Sequence, residues 1–165
     1  MGKKKILDSD QVNQIIKRLA FQVYENNLNE KSLVVVGIGK QGARLSQLLG
    51  DQLKAIAGEI KISFATITLD KEKPAGTVDL KLNGTKISNQ PVVLVDDVLN
   101  TGRTLVHSLM AVLEHDPKHI EVAVLVDRGH KLFPVNASYA GYQLATTLEE
   151  HIEVRLGASP SVYLY

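Results

Sequence analysis

The amino-acid sequence predicts an α/β fold with a mostly parallel central sheet. Three apolar runs rich in β-branched residues carry this reading: Leu33-Val34-Val35-Val36, Pro91-Val92-Val93-Leu94-Val95, and Ile120 to Val126. The first two show no alternation of polar with apolar residues. That is the pattern of strands covered on both faces, as parallel strands are. Between the runs lie stretches with apolar residues at helical spacing, which supply the crossovers that parallel strands need. The 165 residues, 44% of them hydrophobic, suit one domain spanning 1–165 with its own core.

The elements follow in order. The basic start, Met1-Gly2-Lys3-Lys4-Lys5, reads as a solvated tail. Ile15, Ile16, Leu19, Ala20 and Val23 then mark an amphipathic helix over 9–27, with Ser9 or Asp10 as its cap. After the first buried strand, Leu45, Leu48, Leu49 and Leu53 define a helix over 41–57. Residues 60–69 alternate well enough for a strand. Asp70 to Thr77 is polar, contains Pro74 and Gly76, and reads as a mobile loop. The second buried strand leads into a helix over 102–114, and the third follows. Residues 133–165 mix short β-like pieces with Gly141, Gly157 and Pro160.

Composition removes whole classes of function. Nineteen Lys+Arg against 18 Asp+Glu give a formal charge of +1, which excludes a strongly basic nucleic-acid binder but not a local basic patch. The absence of cysteine excludes a disulfide scaffold, Cys-ligated zinc and a Cys nucleophile, and fits a reducing compartment. The most apolar stretch, Leu33 to Ile38, is far short of the roughly 20 residues of a spanning helix. The polar residues 8–11 rule out a secretory core. A cytoplasmic protein without a membrane partner is expected. His115 and His119 have a metal-like spacing, but Pro117 between them ends the helix. His107 reads as structural, and Tyr163 and Tyr165 as a strand face or an interface.

Ligands of parallel sheets bind beyond the carboxyl ends of the strands, which directs attention to the loops after Val36, Val95 and Val126. Gly37-Ile38-Gly39-Lys40-Gln41-Gly42 matches a dinucleotide-binding loop. The acidic residue such loops need about 20 residues on is absent, since Asp70 is the first to end the next strand. The favoured reading is an anion loop. Glycines admit a close approach, helix N–H groups point outward, and Lys40 adds charge. A turn that merely joins strand to helix is the plainer alternative.

The second loop is richer. In Val92 to Leu105, the adjacent carboxylates Asp96 and Asp97 end a buried strand, and Thr101-Gly102-Arg103-Thr104 opens a helix. The free N–H groups and hydroxyls of that turn can surround a phosphate at the positive end of the helix dipole. The paired acids can accept hydrogen bonds from vicinal sugar hydroxyls. The segment reads as carboxylates for a ribose beside a cradle for its phosphate. Helix capping and a strand-end turn explain Asp97 and Thr101 singly, but not the whole set.

This segment resembles the phosphoribosyl-diphosphate (PRPP) signature of type I phosphoribosyltransferases. Val36-Gly37-Ile38 with Gly42, Ile67-Thr68-Leu69, and Ala123 to His130 (Ala-Val-Leu-Val-Asp-Arg-Gly-His) extend the likeness to the PyrR family, over about 6–154. That family comprises a pyrimidine-operon attenuation regulator that is also a uracil phosphoribosyltransferase. The resemblance implies an α/β, type I phosphoribosyltransferase fold: a central mostly parallel sheet flanked by helices, with a small hood from the terminal segments. It implies transfer of ribose 5-phosphate from PRPP to a pyrimidine-like base, uracil foremost. Asp96 and Asp97 are then the catalytic carboxylates at the ribose. Asn100, Thr101, Gly102, Arg103 and Thr104 bind the 5-phosphate, and Gly39, Lys40, Gln41 and Gly42 form the pyrophosphate loop. Asp70, Lys71, Glu72 and Lys73 open the mobile loop, while Asp127 and Arg128 lie on the base side. Magnesium (Mg2+) is implied, bound mainly through PRPP or pyrophosphate, and so is a homo-oligomer.

The sequence departs from the family in places. The family loop usually reads Gly-Ile-Lys-Thr-Arg-Gly, whereas Gly39, Lys40 and Gln41 stand here. Asn136 and Tyr142 stand where the family has Arg and Lys, so no sequence-specific RNA binding is expected. The base-contacting stretch, Gly141 to Thr147, is altered too. Purine salvage enzymes of this superfamily carry an Asp where Asn100 stands. An amide cannot take a proton at neutral pH, which disfavours a purine transferase. The remaining alternative is a nucleotide-sensing regulator with little or no turnover.

Overall fold

The computed structural model describes residues 2–70, 72–73 and 76–165. Its core is a six-stranded sheet in the order β4-β3-β2-β5-β6-β7. Strands β2 (Ser32–Ile38), β3 (Lys61–Thr68), β5 (Pro91–Leu99), β6 (His119–Asp127) and β7 (Tyr139–Gln143) run parallel, and β4 (Asp79–Lys81) closes one edge antiparallel. Consecutive residues of a strand face opposite sides. Val35, Val93, Val95 and Leu125 accordingly pack with helices α1 (Ser9–Asn26) and α2 (Gly39–Ile56). Val34, Val36, Val92, Leu94 and Val124 pack on the other side with Leu105 and Val112 of α3 (Arg103–Leu113). Unbroken apolar runs were therefore the right sign of strands covered on both faces.

Three strands from the two ends of the chain form the hood, β1 (Lys4–Leu7), β9 (Ser161–Leu164) and β8 (Ile152–Arg155), all antiparallel. The amino terminus is thus not a solvated tail. Lys4 pairs with Leu164, Lys5 with Tyr163 and Leu7 with Val162, and Leu7 is buried. The lysines point out of an edge whose partner lies at the other end of the chain, so no local pattern announces the strand.

Two further expectations need correction. The cap of α1 is Asp8, not Ser9 or Asp10. Its carboxylate accepts from the Gln11 amide at 2.9 Å, and the Gln11 side chain accepts from the Asp8 amide at 2.9 Å, a reciprocal capping box. Strands β2 and β5 also run beyond their apolar runs, to Ile38 and Leu99. Among the described residues, no helix is long and apolar enough to cross a membrane.

Candidate active site

The central strand β5 carries the paired carboxylates. Asp96 and Asp97 are buried, at 5% and 9% exposure, and the Asp97 amide donates to Asp96 Oδ1 at 2.9 Å. They do not end the strand. β6 continues alongside, pairing Val98 with Val126 and Leu99 with Asp127, so ladder hydrogen bonding carries β5 two residues further. The chain then turns through Asn100 to Gly102. The Thr101 carbonyl accepts from the amides of Leu132 at 2.8 Å and Phe133 at 3.3 Å, which pins the turn to the loop after β6.

Gly102 starts α3 with φ of +87°, and a Cβ there would stand 2.6 Å from Val135 Cγ2. Both the left-handed backbone and the close approach demand glycine. No side chain at Gly102 caps α3, although Thr101 Oγ1 accepts from the Arg103 amide at 3.3 Å. A helix start of this kind presents N–H groups that lack intrahelical partners, together with the positive end of the dipole. The exposed Arg103 guanidinium lies 5.2 Å from the Phe133 ring, a cation–π contact that holds it beside the turn.

These groups converge. Residues 96–105 line a cavity of about 500 Å³ together with Glu72, Arg128, His151 and Ile152. The cavity unites Asp96, Asp97, Asn100, Thr101, Gly102, Arg103 and Thr104, all anticipated from the sequence. Among the described residues of the loop, Glu72 lines it and Asp70 and Lys73 do not; Lys71 lies outside the described residues. Asp70 Oδ1 accepts from the Glu72 amide at 2.9 Å.

The glycine loop meets this site from the side. Gly39, at φ +65°, opens α2. A Cβ on Gly37 would stand 2.5 Å from the Ala43 Cα, and one on Gly42 2.8 Å from the Val95 carbonyl oxygen. These two glycines let the first turn of α2 press against the carboxyl ends of β2 and β5, which accounts for them without a dinucleotide. Exposed Lys40 and half-buried Gln41 do not line the cavity.

Asp127 and Arg128, expected on the base side, both have partners within the protein. Asp127 ends β6 with Oδ1 accepting from the Gly129 amide at 2.9 Å and Oδ2 lying 3.1 Å from Lys131 Nζ. The Arg128 side chain, 6% exposed, donates to Thr146 Oγ1 at 2.9 Å, the Thr147 carbonyl at 3.2 Å and the Glu150 carbonyl at 2.5 Å. Nε and Nη2 thus hold a strap over residues 146–150, while Arg128 also lines the cavity. His130 Nε2 adds a contact to Thr146 Oγ1 at 3.1 Å. The strap leads into His151 and Ile152, the two lining residues that the sequence did not single out. No local pattern marks them, because the hood folds them back over the sheet.

Among the described residues, no group of three His, Cys, Asp or Glu side chains is arranged to hold a metal by itself. Two buried carboxylates lining one cavity fit Mg2+, which takes one or two carboxylates and completes its shell with ligand oxygens and water. His119, by contrast, lies 3.3 Å from the Asn27 side-chain oxygen and serves the structure.

A helix start beside two buried carboxylates also agrees with the comparisons. The Phosphoribosyl transferase domain model matches residues 2–157. The Bifunctional protein PyrR of Leuconostoc mesenteroides is 38% identical over 160 residues, covering 93% of this chain and 91% of that protein. Its namesake from Macrococcus caseolyticus is 36% identical over 165 residues, with coverage of 94% and 93%. In three dimensions, a hypoxanthine-guanine phosphoribosyltransferase from Bacillus anthracis superposes with a TM-score of 0.73 at 20% identity, over 87% of this chain and 84% of the other, a likeness of fold. The chain belongs to the phosphoribosyltransferase domain family, within the group of the PyrR proteins.

Proposed function

We propose that this protein transfers ribose 5-phosphate from PRPP to a pyrimidine, uracil foremost, releasing pyrophosphate. The observation that carries the reading is the single cavity shared by Asp96, Asp97 and the 100–104 turn. The bond from the anomeric carbon to pyrophosphate breaks, a bond to the base nitrogen forms, and the proton which that nitrogen carried leaves to pyrophosphate or water. Positive charge develops on the sugar in between, so catalysis rests on positioning and electrostatics. The first turn of α3, with Thr101 and Thr104, holds the 5-phosphate, and Asp96 and Asp97 hold the ribose hydroxyls. The start of α2 at Gly39–Gly42 faces the departing pyrophosphate. Bound Mg2+ supplies neutralisation of pyrophosphate charge. The whole chain, 1–165, acts as one cytoplasmic domain that assembles as a homo-oligomer.

One observation favours a second reading, a nucleotide-sensing regulator with little turnover. Lys40 and Gln41 stand off the cavity wall, while residues 100–104 all line it. Sensing needs only the cradle. A purine transferase is the weaker reading, since Asn100 offers no base at neutral pH. Sequence-specific RNA binding is not part of the proposal: Lys131 is paired with Asp127 at 3.1 Å and donates to Asn136 at 2.8 Å.

The test is a spectrophotometric panel of free bases with PRPP and Mg2+. Turnover of uracil supports the transferase. Turnover of hypoxanthine or guanine alone overturns the pyrimidine assignment. Nucleotide binding without turnover of any base selects the regulator.

A further inference from the structure

The strap held by Arg128 ends at His151, a side chain that no assigned role uses. His151 lines the sugar-phosphate cavity and also an adjoining cavity of about 490 Å³. The two cavities share Asn100, Thr101, Arg128 and His151, so they form one continuous trough. A ligand whose phosphate rests on the 100–104 turn, and whose ribose faces Asp96 and Asp97, fills the first part. Whatever is attached at the anomeric carbon has the second part to occupy.

That second part has a distinct chemistry. Leu132 and Leu148 line it while remaining 74% and 84% exposed, an apolar pair suited to the face of a planar ring. The polar edge of such a ring needs donors and acceptors. Arg128 directs Nε and Nη2 to Thr146, Thr147 and Glu150, and His130 Nε2 contacts Thr146. His151 sits otherwise. Its backbone exchanges hydrogen bonds with Tyr165, at 2.7 Å and 3.1 Å, and its ring stands 6.0 Å from the Tyr165 ring. The hood fixes its position, and a neutral imidazole offers one donor and one acceptor.

We infer that His151 is a specificity-determining residue that hydrogen-bonds the polar edge of the nucleobase, and that Arg128 is a positioning residue that acts through the 146–150 strap. The inference rests on the nucleotide-binding reading above and adds the residue that reads the base.

The test is calorimetric titration with two ligands. One is ribose 5-phosphate, which fills only the first part of the trough. The other is whichever of UMP, CMP, GMP and AMP binds the wild-type protein most tightly. His151→Ala is expected to lower nucleotide affinity about ten-fold, the worth of one hydrogen bond, with ribose 5-phosphate affinity unchanged within two-fold. His151→Gln, which keeps a donor and an acceptor, restores most of the loss. Arg128→Gln produces a similar nucleotide-specific loss, and the double variant is no worse than the weaker-binding single one, because both changes break one device. Unchanged nucleotide affinity in His151→Ala overturns the inference alone. So does an equal loss for both ligands, and additive losses in the double variant remove Arg128 from the device. A wild-type protein that binds neither ligand overturns the proposed function itself, and the inference with it.

Discussion

Gly42 on α2 and Val95 on β5 touch so closely that a Cβ at position 42 would stand 2.8 Å from the Val95 carbonyl oxygen. The same Cβ would lie 3.6 Å from Asp96 Oδ1. One glycine therefore sets both the packing of a helix on the central strand and the room beside a site carboxylate. Gly42→Ala forces the backbone of α2 or β5 to shift. Overpacking of this kind costs about 1–3 kcal/mol. The expected outcome is a lowered Tm together with a fall in affinity for PRPP, read by thermal denaturation and calorimetry. A variant with wild-type Tm and wild-type affinity refutes the coupling between packing and site.

Thr101 lies where the chain leaves β5 for α3, with its carbonyl pinned by Leu132 and Phe133 and its hydroxyl near the Arg103 amide. Thr101→Leu replaces a hydroxyl by a branched apolar group in the turn proposed to hold the 5-phosphate. Binding of nucleoside monophosphates is expected to vanish, with circular dichroism and Tm close to wild type. Retained calorimetric affinity would remove the 5-phosphate from this turn.

The paired carboxylates offer a sharper magnitude. Hydrogen bonds to charged groups contribute about 1.5–3 kcal/mol each. Asp96→Asn combined with Asp97→Asn keeps the shape of both side chains and removes both charges. A drop in kcat/KM of about 100-fold or more is expected in an assay of PRPP consumption. A double variant with undiminished kcat/KM shows that the ribose is held elsewhere.

Away from the site, Tyr139 supplies a pH dependence. Burial raises its phenol from 10.0 to about 12, against a smaller opposing effect of the Asn26 hydrogen bond at 2.6 Å. The folded protein keeps this proton over a range in which the unfolded chain loses it. Its contribution to stability is thus fully present below pH 10 and declines as the pH climbs towards 12. Denaturant midpoints measured across that interval should fall for the wild type and fall less for Tyr139→Phe. Equal slopes would separate the phenol from the decline.

Much of this architecture was legible in the chain itself. Val34, Val35 and Val36 could only be stable with cover on both faces, and the structure divides them between the two sides of the sheet. The carboxylates and the Thr-Gly-Arg-Thr turn were legible because strand end, left-handed glycine and helix start are consecutive, so local chemistry alone assembles them. Positions of contact between distant segments were not. Lys4 and Lys5 look like a tail until β9 pairs with them, and Asp96 looks like a strand end until β6 continues beside it. Arg128 reads as a base-side cation, and only the fold shows that its Nε and Nη2 also tie down Thr146, Thr147 and Glu150. His151 has no sequence signal at all and reaches the cavity only because the hood returns it there. Backbone periodicity and turn chemistry act over a few residues, so the sequence by itself determined the central buried strands, the helices and the turn into α3. Which donors stay committed and which side chains face the ligand depends on pairings between residues far apart in the chain, and these only the tertiary structure decided.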